Sequence, residues 1–185
     1  DTIARAVKRG TGELEGVTYE EVTYEGYAPN GVAVFVEALT DNRNRTGPEM
    51  RALFSKLGGS MAEPGSVAWQ FERKGIVRVP GSVPEDDLML VALDAGAEDI
   101  REEGGGWTVV CEPSSTAAVR HAIEEAGIEV ESSDLTMLPT STVPLTSVEE
   151  VKPVLRLIDA LDDHDDVQDV YSNFDASDEV LEALE

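Results

Sequence analysis

The amino-acid sequence predicts an α+β protein with two small domains, the second inserted into the first. Short alternating apolar segments, typical of strands, interchange with segments of helical spacing along the 185 residues. Residues 75–139 follow the order β-α-β-β-α-β, which is the ferredoxin-like pattern. The helix and strand predicted after them cannot form a domain alone, so we expect them to complete the first half as a second domain of ferredoxin-like type.

The first half contains a hairpin, a helix and further strands. Alternation over residues 17–39, interrupted by "APNG", predicts a β-hairpin. The segment "GPEMRALFSKLGG" predicts a short amphipathic helix with Pro48 in its first turn. In "SVAWQFER" the residues Val67, Trp69 and Phe71 alternate as strand residues facing a core would, and "GIVRV" follows as another strand.

The second half supplies the remaining elements. The segment "PEDDLMLVALDAG" predicts a helix, "EDIREE" and "WTVVCE" predict a hairpin with a glycine turn, and "SSTAAVRHAIEEAG" predicts another helix before the strand "IEVESSDLTMLP". A capping box from Ser147 to Glu150 opens a long helix, and "VQDVYSNF" is the last strand. The predicted domains are 1–16 (the tail of a helical domain), 17–74 plus 140–185, and 75–139.

Charge divides the chain into unlike halves. The formal net charge is −24, and residues 1–79 carry 10 basic and 11 acidic side chains against 4 and 27 in residues 80–185. Because phosphate backbones are bound by Lys and Arg, only residues 1–79 are expected to hold nucleic acid. The acidic half serves solubility or contacts a protein partner.

Other global features are typical of a protein in a reducing compartment. The lone Cys111 excludes an internal disulfide, and no segment approaches the roughly 20 apolar residues that span a bilayer. We therefore expect a cytoplasmic protein without membrane contact. The opening "DTIARAVKRGTGE" begins within a helix-like pattern and without Met, so a preceding segment is expected.

The stretch "LTDNRNRT" is the principal candidate for ligand binding. In an extended loop, Arg43 and Arg45 would point the same way beside a helix N-terminus, where free backbone N–H groups favour an anion. The two guanidinium groups, together with the Asn44 amide, could then bind a phosphate. The alternative is a structural corner in which Asp41 or Asn44 caps the turn and the arginines form surface salt bridges.

Further cations and a glycine-rich loop extend this candidate site. Three cations of the opening segment share a helical face. The loop 58–66, "GGSMAEPGS", lacks the Gly-Lys-Ser/Thr of a P-loop, and we interpret it as flexible or closely approached. The predicted nucleic-acid-binding residues are Arg43, Asn44, Arg45, Thr46, Arg5, Lys8, Arg9 and Arg51, with Gly58, Gly59, Gly65 and Ser66 as the neighbouring loop.

No catalytic or metal-binding pattern is predicted. The acidic run "DDHDDVQD" lacks the glycine and the final glutamate of an EF-hand, and zinc would want more His or Cys. Neither histidine lies in a nucleophile motif, and Cys111 lies in an apolar strand. We therefore expect a non-enzyme without metal or cofactor.

Several segments together resemble the YebC/PmpR family, whose eukaryotic relatives include the mitochondrial translational activator of cytochrome c oxidase. They are "RAVKRGTGE", "YEEVTYEGYAPNGVAV", "EALTDNRNRT", "GSVAWQFERKG" and "LIDALDDHDDVQDVYSNFD", which cover nearly the whole chain in order. Ser60, Ala62, Ala28 and Asn30 depart from the usual family residues. The resemblance implies an N-terminal lysine-rich helical domain and two α+β domains, the third inserted into the second.

The resemblance also implies a function. The family is described as transcriptional regulators that bind DNA, and is linked to ribosomes and to relief of stalling on proline-rich nascent chains. It supports a nucleic-acid contact at Arg43, Asn44 and Arg45, to DNA or rRNA. The alternative from a different class is an acidic protein-interaction module that docks a basic partner, such as a ribosomal protein or polymerase subunit.

Overall fold

The computed structural model describes residues 17–185, which form two compact units. The first unit is discontinuous and comprises, within the described chain, residues 17–71 and Pro139–Glu185; the second is Glu72–Leu138. The predicted borders, between 74 and 75 and between 139 and 140, lie within a few residues of these. The predicted tail 1–16 lies outside the described residues.

The first unit combines strands from both ends of the chain. Its elements are β1 (Glu20–Tyr27), β2 (Ala33–Thr40), α1 (Arg43–Lys56), β3 (Ser60–Met61), β8 (Val143–Leu145), α4 (Val148–Asp162), β9 (Val167–Ser172), β10 (Phe174–Ala176) and α5 (Asp178–Glu182). The main sheet has the order β3-β1-β2-β9 with antiparallel pairs, and β8 pairs with β10 in parallel. The predicted hairpin is confirmed, and its two strands are the central ones of this sheet.

The core of the first unit lies between this sheet and two helices. Val34 and Val36 on one face of β2 pack with Phe54 of α1 and with Val154 and Leu161 of α4, all fully buried. On the opposite face, the Phe35 ring lies against those of Phe71 and Tyr171, with centroids 6.3 and 6.4 Å apart. Strand β2 is therefore covered on both faces, which explains its nearly continuous apolar sequence.

The second unit has the predicted ferredoxin-like order of elements. They are β4 (Phe71–Pro80), α2 (Glu85–Asp94), β5 (Ala97–Glu103), β6 (Gly106–Cys111), α3 (Thr116–Glu125) and β7 (Ser132–Pro139). The strands are ordered β5-β6-β4-β7 in one sheet. Positive φ angles at Gly104 and Gly105, +59° and +76°, make the tight turn that was predicted between β5 and β6. The mixture of helices and antiparallel sheets confirms the α+β class.

The strand predicted at Val67–Phe71 is wrong in its first part. Ala68–Gln70 form a 3-10 turn, and the strand begins only at Phe71 and continues through "GIVRV" as a single element. The backbone N–H groups of Val67 and Ala68 bond to the carboxylate of Glu25 instead of to a neighbouring strand. Trp69 consequently lies on the surface with 71% of its area exposed, and it is not the predicted core residue.

None of the helices among residues 17–185 is long and apolar enough to cross a membrane.

Two glycines of the predicted loop have structural reasons to be glycine. Gly58 ends α1 with φ +86°, and a Cβ on Gly59 would lie 2.3 Å from the Tyr27 carbonyl oxygen. By contrast, Gly31 in the hairpin turn has φ +75° and open space around its Cα. The requirement at Gly59 is therefore steric, and at Gly31 it is conformational.

We predict that Gly59→Ala lowers the free energy of unfolding by about 1–3 kcal/mol, because the new methyl group overlaps backbone that cannot rotate away. Gly59→Asn should cost more than Gly59→Ala. At the control position, Gly31→Asn should cost less than Gly31→Ala, because Asn tolerates the left-handed conformation better. Urea denaturation of the four variants measures these differences, and a milder effect of Asn than of Ala at Gly59 would contradict the steric explanation.

Candidate nucleic-acid interface

The stretch "LTDNRNRT" forms the end of a strand and the start of a helix. Helix α1 begins at Arg43, so the predicted extended loop is wrong and Pro48 lies beyond the first turn. Asn42, rather than the predicted Asp41 or Asn44, is the N-cap: its Oδ1 accepts the backbone N–H of Arg45 at 3.2 Å. Residues two apart on an α-helix are rotated by about 200°, so Arg43 and Arg45 face different surroundings.

Arg45 is held by acidic side chains of the same unit. Its Nη2 lies 2.5 Å from Oδ2 of Asp166 and 3.5 Å from Oδ1 of Asp41, and its Nε lies 3.8 Å from Oε1 of Glu49. The Asp166 side chain is only 1% exposed. The hydrogen bond to Asp166 raises the pKa of the Arg45 guanidinium above its ordinary value. Three carboxylates surround the Arg45 guanidinium, so a phosphate would have to compete with them for it.

Two buried threonines continue this network. The Oγ1 atoms of Thr40 and Thr46 lie 2.7 Å apart, and Thr46 also donates to Oδ2 of Asp166 at 2.8 Å. The backbone N–H of Asn42 donates to Oγ1 of Thr40 at 3.0 Å. Since both threonines are fully buried, the predicted contact of Thr46 with a ligand is not compatible with this arrangement.

His164 links the acidic run to α1 and bears on metal binding. Its ligand atoms, with those of Glu49 and Asp166, lie within 4.8 Å of one another, as a metal centre would require. However, Nδ1 of His164 accepts the backbone N–H of Asp166 at 3.1 Å, so Nε2 carries the proton and donates to Glu49 at 2.7 Å. No ring nitrogen then offers a lone pair to a metal. We interpret the three residues as a hydrogen-bonded contact that joins the acidic run to α1.

Arg43 and Arg51 line a groove on the first unit. It has a volume of about 280 Å³, and its other walls are Val22–Glu25 of β1, Met61 of β3 and residues 62–64 of the loop after β3. The Arg43 side chain is 60% exposed, and its Nη1 lies 3.5 Å from Oε2 of Glu20. That partner is itself 46% exposed, so a phosphate could compete with this weak pair. The structure thus brings the predicted Arg43, Arg51 and part of the predicted loop together.

Glu25 fixes the loop that forms one wall of this groove. Its carboxylate accepts the backbone N–H groups of Gly65, Val67 and Ala68 at 2.7, 2.9 and 2.5 Å. Burial raises the pKa of Glu25, but the three N–H groups outweigh it and hold the pKa below its ordinary value. Gly65, one of the predicted loop residues, therefore helps to position the loop through its backbone N–H, and its φ is +90°. Ser66 accepts the indole N–H of the exposed Trp69 at 2.9 Å.

Tyr24 adds an aromatic group that sequence reasoning did not assign to the site. Its ring packs against the core, and its hydroxyl is buried without a hydrogen-bond partner among residues 17–185. Burial raises the pKa of Tyr24, so the hydroxyl stays protonated and able to donate. Tyr24 belongs to the alternating segment 17–39 from which the hairpin was predicted, and only the position of α1 reveals that it also lines the groove.

The remaining predicted residues divide into two groups. Asn44 is exposed on the first turn of α1, outside the set of residues that line the groove. Arg5, Lys8 and Arg9 lie outside the described residues.

Comparison with known proteins adds independent information. The family model for the second and third domain of TACO1/YebC proteins matches residues 19–174. A probable transcriptional regulatory protein of Acidithiobacillus ferrooxidans is 52% identical over 185 residues, which are 100% of this chain and 74% of that protein. A protein of the same description from Rubrobacter xylanophilus is 55% identical over 183 residues, 98% of this chain and 73% of the relative.

A solved structure is also similar. The crystal structure of a conserved hypothetical protein from Aquifex aeolicus matches with a TM-score of 0.78 and 44% sequence identity. The match covers 97% of this chain and 74% of that one.

We predict that Arg45→Ala lowers the free energy of unfolding by about 1–3 kcal/mol, because it leaves the buried Asp166 carboxylate without its cation. We expect a smaller loss of unfolding free energy than for a fully buried ion pair, because the Arg45 side chain is 44% exposed. Arg43→Ala, the control on the same helical turn, should change stability by less than about 0.5 kcal/mol. Equal losses for the two variants in urea denaturation would show that Arg45 is not the structural member of the pair.

We predict that Glu25→Gln destabilises the protein by about 1–3 kcal/mol at neutral pH, since the amide loses charge-assisted bonds and presents a donor to N–H groups. Because the pKa of Glu25 is lower in the folded state, its contribution is present above the unfolded pKa and is lost as pH falls through the folded value. The difference from the parent should therefore shrink below about pH 4. Glu63→Gln, on the exposed part of the same loop, is the control, and a pH-independent difference for Glu25→Gln would contradict the assignment.

Proposed function

The chain belongs to the TACO1/YebC family, and from this premise we propose that it is a non-enzymatic regulator of gene expression that binds RNA on the ribosome. The groove lined by Arg43 and Arg51 is the proposed contact. Similar proteins carry the name probable transcriptional regulatory protein, which supports a regulator of gene expression but specifies neither the nucleic acid nor the step.

The observation that carries the proposal is that the two arginines in "LTDNRNRT" lie in different surroundings. Arg45 is enclosed by three carboxylates, whereas Arg43 opens to solvent in a groove that Arg51 also lines. In a chain of net charge −24, two exposed arginines on one groove offset part of the repulsion that a phosphate meets, although the exposed Glu63 also lines this groove. The Glu25 carboxylate, although it lines the groove, is engaged by backbone N–H groups.

The size and composition of the groove favour RNA over duplex DNA. A volume of about 280 Å³ accommodates a single splayed nucleotide with its phosphate rather than the side of a duplex. Duplex binding normally requires a face with many cations, and the described part of the groove supplies two. Trp69, exposed at the end of the loop, offers a ring on which an unpaired base can stack.

We predict that Arg43→Ala combined with Arg51→Ala weakens co-sedimentation with ribosomes about tenfold or more at low salt. Loss of two phosphate contacts should also reduce the slope of log affinity against log salt by about 1.4, since single-stranded contacts contribute about 0.7 each. The control, Arg101→Ala with Arg120→Ala, removes two exposed cations from the acidic unit and should leave the slope unchanged. Quenching of tryptophan fluorescence by single-stranded RNA gives a second readout.

Two outcomes would overturn this proposal. Unchanged affinity and slope in the Arg43, Arg51 variant would show that the groove is not the contact. Tighter binding of promoter-length duplex DNA than of ribosomes at matched salt would make the protein a DNA-binding regulator instead.

A further inference from the structure

Helix α2 of the inserted unit has apolar residues on two faces. Leu88 and Ala92 are fully buried in the core of the unit. Met89, Leu90 and Leu93 lie on the side of the helix away from this core, from its flank to its outer face, with 37%, 77% and 45% of their areas exposed. A helix that packs on one sheet needs a single apolar stripe, so the second stripe has no role in this core.

The exposed stripe forms a shallow depression with acidic ends. Its volume is about 670 Å³, and its lining consists of Met89, Leu90 and Leu93 with Asp86 and Asp94. The two aspartates are eight residues apart, so they lie about 12 Å apart along the helix axis. The surface is therefore apolar in the centre and negative at both ends, which we call the α2 surface.

The charges of α2 are not balanced within the helix. Glu85, Asp86 and Asp87 in the first turn are favourable at the positive end of the helix dipole. Asp94 lies at the opposite end, where a negative charge is unfavourable, and the last turn contains no basic residue. The unit Glu72–Leu138 as a whole has 15 acidic and 5 basic side chains. A cation supplied by a partner would offset the cost of Asp94.

We infer that the α2 surface docks a basic amphipathic helix of a protein partner. Such a helix would place apolar side chains against Leu90 and Leu93, and a Lys or Arg at each end against Asp86 and Asp94. A second copy of this chain fits poorly, because an antiparallel pair of α2 helices would bring Asp86 of one against Asp94 of the other. This inference concerns a different unit from the RNA groove and does not depend on it.

The test uses the whole chain and two labelled peptides of about 14 residues, or two heptads. In one peptide Leu and Lys are arranged so that the leucines follow one helical face, and in the other the same residues are shuffled to remove that face. Fluorescence anisotropy at about 50 and 300 mM salt measures both affinities. The shuffled peptide reports attraction that depends on charge alone.

We predict that the amphipathic peptide binds about tenfold tighter than the shuffled one, and that Leu90→Ser with Leu93→Ser removes this preference. Asp86→Asn with Asp94→Asn should weaken binding at low salt and reduce its salt dependence. Two matched controls should retain the preference. Leu135→Ser, on β7, replaces a leucine that is 53% exposed and is the control for the leucine variant. Glu124→Gln with Glu125→Gln removes two acidic charges and is the control for the aspartate variant.

Equal affinity for the two peptides, or a preference that survives Leu90→Ser with Leu93→Ser, would overturn the inference. So would sedimentation showing a dimer of the parent chain that these serine variants dissociate, because the α2 surface would then join two copies. Circular dichroism of each variant establishes that its fold is retained, which the exposure of the substituted residues leads us to expect.

Discussion

The buried carboxylate of Asp166 is the contact on which the first unit depends. It accepts hydrogen bonds from Arg45 and Thr46, which are 121 and 120 positions away and precede the inserted unit, whereas Asp166 follows it. Asn173 makes a second such link, since its Oδ1 accepts the backbone N–H of Ala33 at 2.7 Å. An apolar core alone specifies burial but tolerates sliding, whereas a buried charge must meet its own donors. These polar contacts therefore set the register in which the two chain segments meet.

This constraint gives the residues of one short motif different surroundings. The buried members, Thr46 and the charge partner Arg45, hold the start of α1 against the loop before β9. The same helical geometry turns Arg43 away from Asp166 and into the groove. A motif that is rich in arginine and asparagine can thus supply a ligand contact only where the fold does not already use its charges.

The sequence predicted those elements whose signal is a repeated local pattern. Alternation revealed the hairpin of the first unit, and helical spacing with a Ser cap revealed α4, where Ser147 accepts the backbone N–H of Glu150. Short elements such as β3 and β10 span two and three residues, too few for any period to show. The alternation around Trp69 was misleading because Glu25, distant in sequence, takes the backbone donors that a strand would need.

The candidate site was predictable in its residue types but not in their roles. Asp166 is one of five aspartates between positions 162 and 169, and nothing in the sequence marks it as the buried one. The same limit applied to Arg43 and Arg45. In an extended loop their side chains would point the same way, whereas on a helix they point in different directions. An Asn before the first helical turn was the available signal, because an N-cap at Asn42 already implies helical rotation between the two arginines.

Charge separation also determines how binding by this protein must be interpreted. Salt weakens the attraction between two arginines and a phosphate, but it equally screens the repulsion between that phosphate and a chain of net charge −24. The two effects have opposite signs, so a shallow overall salt dependence is compatible with real phosphate contacts. A difference in slope between variants with the same net charge cancels the repulsion and leaves the local contacts. That is why a charge-matched pair of arginines in the acidic unit, rather than the parent chain alone, is the proper reference for the groove.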